Sequence, residues 1–447
     1  MTEKSKLNRR FFMKSAGATA LLGSAIGSGV AIPFSASAKG MGHTSMSVAY
    51  DLNEDFNRIG SGDAKWDGIR KANRPHDVKF PMGVADMDFR TLPHITEALQ
   101  KRLNHQNWGY EGPPADYLDN IVAWNKTRYD QGVPKGNIVN CIGVLDGVLS
   151  ILRSFNPGGA KVLIHTPGYS GFFSVIHSAQ FMEVENPLKL VDGRYEVDYD
   201  LMAEQIDADD IKVFLLCNPQ NPTGNCWTAD EMKKMGDICN SRGVLVVADE
   251  IHCDFVNKHS KYIPYASLGE EYAMNSFTLK STSKSFNLAA HRTGYMFTDN
   301  TEYMDKVKSE GHQRGLLHTM GTIAANAAYK HGAQYMDDMR SYIDGNSHFL
   351  EKFCAENMKD VKYKVHEGTY LAWLDCSAVA KKLGGAEEGQ RVGDLLKAFF
   401  IEKAGVNVNP GENYGKNGVG YMRMNLGTTH AKLHGALNAM KTAIDAL

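Results

Sequence analysis

The 447-residue chain has no excess of either charge: 49 lysines and arginines against 51 aspartates and glutamates leave a formal charge of −2. With no surplus of cations to neutralise phosphates, neither nucleic acid nor an anionic membrane is expected as a partner. Cysteine is scarce. The seven present, Cys141, Cys217, Cys226, Cys239, Cys253, Cys354 and Cys376, are too few and too scattered for a disulfide framework, and their odd number leaves at least one free. None belongs to a CxxC pair or to a Cys/His group with zinc spacing, so no metal site is expected. Long apolar runs are missing as well. The mildly apolar stretch 16–32 is broken by Gly17, Gly23, Gly27 and Gly29, whereas a membrane anchor needs about 20 strongly apolar residues. No repeat or low-complexity tract follows it. What remains is an ordinary globular composition, 43% hydrophobic and 22% charged, over a length at which two domains are the default.

The first forty residues read as an address rather than as fold. Lys4, Lys6, Arg9 and Arg10 form a basic start, residues 16–32 an apolar middle, and Ala36-Ser37-Ala38 a small-residue cleavage pattern, with cleavage expected after Ala38. LNRRFFMK resembles the twin-arginine motif. That resemblance implies passage through the twin-arginine export machinery, a periplasmic location, and folding in a reducing compartment where no disulfides are needed.

From about residue 140 to 300 strand-like and helix-like segments alternate. The strand-like runs are KVLIHTP (161–167), QFMEVENP (180–187), KVFLLCNP (212–219), VLVVADE (244–250), SFTLKS (276–281) and TGYMFT (293–298). Short β-branched runs without alternation, separated by helical periods, predict an α/β fold with a mainly parallel sheet covered on both faces. Beyond about residue 326 long helical stretches mix with few strands and predict a smaller α+β domain. The expected organisation is a signal peptide at 1–38, a segment at 39–80 joining the small domain, a large domain at 81–325, and the small domain at 326–447.

In an open α/β sheet, ligands bind outside the carboxyl ends of the strands. Four consecutive strand ends here deliver an aromatic (Tyr169), an amide (Asn221), a carboxylate with an imidazole (Asp249, His252) and an amine (Lys284) to one edge. Taken singly each has a plain reading: NPTG is a turn, an aspartate after a strand caps a helix, a lysine is a solvated charge. The ordered set is harder to produce by chance.

NPQNPTG, ADE, SxSK with an arginine eight residues on, and RMNLG together resemble the fold-type I pyridoxal-phosphate enzymes of the class I/II aminotransferase group, from about residue 65 to the end. VADMDF (84–89), WGY (108–110), DEIH (249–252), SKSFNLA (284–290) and GTYLAWLD (368–375) are similar to the cystathionine β-lyase-like branch, which cleaves carbon–sulfur bonds. The resemblance implies pyridoxal 5′-phosphate as cofactor, with Lys284 as the amine that binds it covalently and later removes the substrate's α-proton. It implies Asp249 as the partner of the ring nitrogen, Asn221 and His252 near the ring's phenolic oxygen, and Tyr169 stacked on the ring. The phosphate would be held by main-chain N–H groups of Val144 and Leu145, by Ser281, Ser283 and Arg292, and by Tyr110 of a neighbouring subunit, implying a homodimer with shared sites. Arg423 matches the arginine that clamps the carboxylate of an amino-acid substrate.

Three outcomes stay open on these residues. One is β-elimination from an L-cysteine S-conjugate to thiol, pyruvate and ammonia; another is transamination; a third is binding of the cofactor without turnover. Asp86 and Asp88, in VADMDF, either line the substrate side or brace their loop. The branch usually has tryptophan where Gly83 stands, and bulkier residues where Gly168 and Gly171 stand, so a wider substrate pocket is expected.

Overall fold

A computed structural model describes residues 50–156, 158–310 and 318–447. The expected export signal, with cleavage after Ala38, lies outside the described residues. Seven strands form the central sheet: β1 (Ile138–Cys141), β2 (Lys161–Thr166), β3 (Met182–Pro187), β4 (Ile211–Cys217), β5 (Leu245–Asp249), β6 (Ser276–Lys280) and β7 (Gly294–Phe297). Their spatial order is β1-β7-β6-β5-β4-β2-β3. All pairings are parallel except those of β7, which runs against both β1 and β6.

Each of the six predicted runs is a strand, and the uninterrupted apolar pattern has a direct cause. Val213 and Leu215 of β4 pack with Val247 and Leu279 on one face, where helices α1 (Val144–Ser154) and α2 (Ser170–Ser178) lie. Phe214 and Leu216 pack with Val246 and Ala248 on the other, against Met202, Met232 and Met235. A sheet buried on both faces has no polar alternation to show.

Two pieces were not expected: β1 itself, and a short antiparallel hairpin of Lys189–Val191 and Arg194–Glu196. The C-terminal part carries a three-stranded antiparallel sheet, β8 (Leu371–Asp375), β9 (Asn409–Pro410) and β10 (Tyr421–Asn425), ordered β8-β10-β9. Helices α3 (Ala333–Asn357) and α4 (His430–Asp445) pack with it through Leu350, Leu433 and Leu437. A second link runs through Phe80–Pro81, which pairs in parallel with Val406–Asn407. All seven cysteines are buried and unpaired. Among the described residues no His/Cys/Asp/Glu group could hold a metal, and no helix is long and apolar enough to cross a membrane.

Candidate active site

The parallel strands end along one edge, and the reversed β7 begins there. Gly294 of β7 stands opposite Cys141 at the end of β1, and Tyr295 opposite Lys280 at the end of β6. Arg292, two residues before β7, is thus brought to the same edge as Lys284 by the strand's reversal.

Asp249 ends β5 in register with Cys217. It is buried, and its carboxylate accepts one backbone hydrogen bond, from the N–H of Ile251 at 3.1 Å. Desolvation pushes its pKa up to about 7, against the pull of the nearby Lys284 charge. Lys284 sits in the four-residue helix Thr282–Ser285 that follows β6. Its Nζ donates to the carbonyl of Ala85 at 2.7 Å. Desolvation first, then the charge of Arg423, lowers its pKa to about 8, against the opposing pull of Asp86 and Asp249. A free amine is therefore available near neutral pH, as an activated lysine requires.

Arg423 lies on β10, buried among Trp373 on β8 and Asn409 on β9, its register partners. Its Nη1 donates to Asn221 Oδ1 at 3.2 Å and its Nη2 to the carbonyl of Gly83 at 2.7 Å. Its Nε is buried with no hydrogen-bond partner. A guanidinium left with an unmet donor in a closed site suits an incoming carboxylate. His252 is buried, with an unpartnered Nδ1. Burial, then the charges of Lys284 and Arg423, hold its pKa well below the usual histidine value, so the ring stays neutral.

Tyr169 sits at the N-cap of α2, edge-on to Phe172 at 5.5 Å. Burial and the Asp249 carboxylate raise its pKa. Gly171 makes room for this ring: a Cβ there would lie 2.6 Å from Tyr169 Cε1 and 2.9 Å from Leu145 Cδ1. A Cβ at Gly168 would lie 2.2 Å from the carbonyl oxygen of His165, and one at Gly83 2.6 Å from Asn409 Oδ1 and 2.7 Å from Asn407 Oδ1. At these three positions the missing side chain leaves no open space. All three glycines are closely packed, and the space beside Gly83 is filled by two amides.

The first turn of α1 is capped by Gly143, which offers no side chain; a Cβ there would meet nothing within 4 Å. The N–H groups of Val144 and Leu145 thus face an open cradle at the positive end of an 11-residue helix. Ser281 Oγ bridges the carbonyl of Thr293 at 2.6 Å and Ser283 Oγ at 2.8 Å. Arg292 is exposed, has no ion pair among the described residues, and is held at a left-handed φ of 46°. Such a conformation in a non-glycine residue persists where its surroundings impose it. Tyr110, also among the expected residues, is fully exposed.

The loop 83–88 is held at nearly every residue by partners that sequence reasoning did not name. Asn409 Nδ2 donates to Gly83 O at 2.9 Å, and Asn425 Nδ2 to Val84 O at 2.6 Å and Asp86 O at 2.5 Å. Tyr370 OH donates to Ala85 O at 2.9 Å. Asn287 both accepts from Met87 N and donates to Met87 O, each at 2.8 Å. Asp88 is buried beside Lys65 Nζ at 3.1 Å and accepts from Trp66 Nε1 at 2.8 Å; Asp86 pairs with Arg58 at 2.8 Å. Both aspartates therefore brace the loop.

A lysine of lowered pKa, a buried carboxyl, a buried arginine with an unmet donor and the open N-terminus of a helix gather around the ends of the parallel strands. Residues 77–440 match the family described as aminotransferase class I and II. The chain belongs to that family. It is 32% identical over 397 residues to cystathionine beta-lyase PatB of Bacillus subtilis, covering 88% of this chain and 99% of that one. Protein MalY of Escherichia coli is 31% identical, covering 89% and 100%. Among solved structures, cystalysin from Treponema denticola, which contains pyridoxal 5′-phosphate, superposes with a TM-score of 0.83 at 28% identity, covering 89% and 99%. A PLP-bound C-S lyase from Staphylococcus hominis gives 0.82 at 28%, covering 89% and 99%. The fold is the fold-type I pyridoxal-phosphate transferase fold, as expected from the sequence. The residues present fit that cofactor: the His252 Nδ1 without a partner, the protonatable Asp249, the open helix start at Gly143 and Arg292, with no ion pair among the described residues, each match one of its polar groups.

Proposed function

We propose that this protein is a pyridoxal-phosphate-dependent carbon–sulfur β-lyase, releasing thiol, pyruvate and ammonia from L-cysteine S-conjugates such as cystathionine. The observation that carries the reading is that Lys284, Asp249 and Arg423 stand within one another's electrostatic reach, in a chain similar over nearly its whole length to carbon–sulfur lyases. When bound, the cofactor supplies an electron sink for the substrate's Cα. The chain's own groups do the rest. Arg423 clamps the α-carboxylate and fixes which bond at Cα faces Lys284. The Lys284 amine, neutral above about pH 8, takes the α-proton, after which the thiolate leaves Cβ. Asp249 holds a proton at the ring nitrogen. Val144, Leu145, Ser281, Ser283 and Arg292 would hold the phosphate; Asn221 and the neutral His252 would meet the phenolic oxygen; and Tyr169 would cover the ring face.

The fully exposed Tyr110 fits completion of a neighbouring subunit's phosphate site, in a homodimer with shared sites. Export by the twin-arginine route to the periplasm belongs to the same reading and rests on the LNRRFFMK stretch. The purified protein, loaded with cofactor, should form pyruvate and free thiol from cystathionine in equal amounts. A keto acid retaining the sulfur would instead make it an aminotransferase, and neither product from a broad set of amino acids would leave a binding protein.

A further inference from the structure

The carbonyl of Ala85 takes two donors, one of them Lys284. Lys284 Nζ reaches Ala85 O at 2.7 Å, and Tyr370 OH reaches the same oxygen at 2.9 Å. Tyr370 is fully buried, edge-on to Phe255 at 4.8 Å and to His252 at 5.6 Å, so its hydroxyl has one orientation to offer. Burial raises its pKa strongly, which keeps it a donor and never a competing base. The peptide that carries the oxygen is fixed from both sides, by Asn425 on Val84 O and Asp86 O and by Asn287 on Met87. The loop in turn is anchored by Arg58 and by the fully buried Lys65. A backbone acceptor held this firmly does nothing for a lysine already bonded to a cofactor. It has a use only for a free amine.

We propose that the Ala85 carbonyl, pinned by the Tyr370 hydroxyl, is the docking point of Lys284 whenever its amine is free, and that Tyr370 is a positioning residue for proton transfer at that amine. The carbonyl holds Nζ by one hydrogen bond and leaves its lone pair free to accept the α-proton. Tyr370 takes part of the oxygen's accepting capacity, so that Lys284 is located without being over-stabilised as an ammonium. No covalent step is added. The placement rests on Lys284 acting as the base in the reading above.

Tyr370→Phe removes one hydroxyl and keeps the ring. It should lower kcat by about tenfold or more, since small displacements of a reacting group are costly. KM for the amino acid and affinity for the cofactor should change much less. The second readout uses the cofactor-free protein: acylation of Lys284 by acetic anhydride, followed across pH by mass spectrometry. With Ala85 O left to Lys284 alone, the ammonium is favoured and the labelling midpoint should move up by roughly half a unit or more. Asn287→Ala, which loosens the same loop from the other side, should lower kcat in the same sense by a smaller factor. Unchanged kcat and midpoint in Tyr370→Phe would overturn the proposal, as would a loss of cofactor affinity as large as the loss of kcat. A wild-type protein inactive on every cysteine conjugate, yet showing the midpoint shift, would overturn the lyase reading while supporting the docking point.

Discussion

Two lysine–carboxylate pairs stand back to back at the ends of β5 and β6, made from consecutive carboxylates, and they are built on opposite terms. On one side, Glu250 and Lys280 are 3.6 Å apart and saturated with partners. Lys280 Nζ donates to Asn125 Oδ1 at 2.8 Å and Gln131 Oε1 at 2.7 Å, between the rings of Tyr129 and Tyr262. Glu250 accepts from the Tyr262 hydroxyl and from Tyr265 N. On the other side, Asp249 and Lys284 share no direct bond, and among the described residues their side chains' only hydrogen bonds are to the N–H of Ile251 and the carbonyl of Ala85. The saturated pair fixes the geometry of two strand ends. The undersupplied pair keeps its protons movable near neutral pH, which is what chemistry needs and stability does not.

The comparison breaks most sharply on the lysines themselves. Lys284→Ala should abolish both turnover, by about a thousandfold or more, and the visible absorbance of the loaded protein, while the fold survives. Lys280→Met should do the reverse. Breaking a buried pair by deleting one partner costs about 3–5 kcal/mol, read by denaturant unfolding, whereas the protein that stays folded should retain kcat/KM within severalfold. If Lys280→Met were instead fully stable and inactive, the division of labour between the two pairs would be wrong.

Asp249 sharpens the contrast through pH. Its folded pKa, about 7, lies above the value of 3.8 expected when unfolded. The folded state therefore binds more protons than the unfolded state between those values, and stability from this group is full at low pH and lost as pH rises towards 7. Asp249→Asn removes the penalty. The cofactor-free variant should be more stable than cofactor-free wild type above pH 7, by about 1–3 kcal/mol, with the difference vanishing towards pH 4. On the proposed role of Asp249 at the ring nitrogen, the variant's turnover should collapse. Equal stability of the two proteins at pH 8 would mean that Asp249 is solvated in the empty site.

The contrast also explains what the sequence disclosed. Each expected strand was legible because burial on both faces leaves a continuous apolar run, and the residues just after those runs fall at the ligand edge by topology alone. β1 was missed: it is four residues long with a central asparagine, Asn140. The loop contacts were missed for a different reason. Lys284 and Ala85 are 199 positions apart and meet through a backbone carbonyl, which leaves no side-chain signature. VADMDF and GTY were visible as motifs, yet their roles lie in peptide oxygens and in braces such as Lys65 and Arg58. The glycines misled most. Gly83, Gly168 and Gly171 look like openings in a string of letters, but whether a missing side chain leaves space depends on neighbours that arrive from elsewhere in the chain.

Gly171 gives the smallest effect. The reactive pair has few polar contacts, so its precision must come partly from shape, and the Tyr169 ring lies within electrostatic reach of Asp249. Gly171→Ala sets a methyl group 2.6 Å from Tyr169 Cε1. The backbone at 171 is helical and accepts alanine, so the ring must turn aside. The loss should approach the value of one aromatic contact, roughly 1 kcal/mol or about fivefold in cofactor affinity, measured by titrating cofactor-free protein with pyridoxal phosphate. Lys280 and its partners lie outside this contact, so unfolding of the cofactor-free variant should stay close to wild type. Unchanged affinity would place Tyr169 off the cofactor's ring. A large loss of stability would mean that α2, rather than the ring, had absorbed the methyl group.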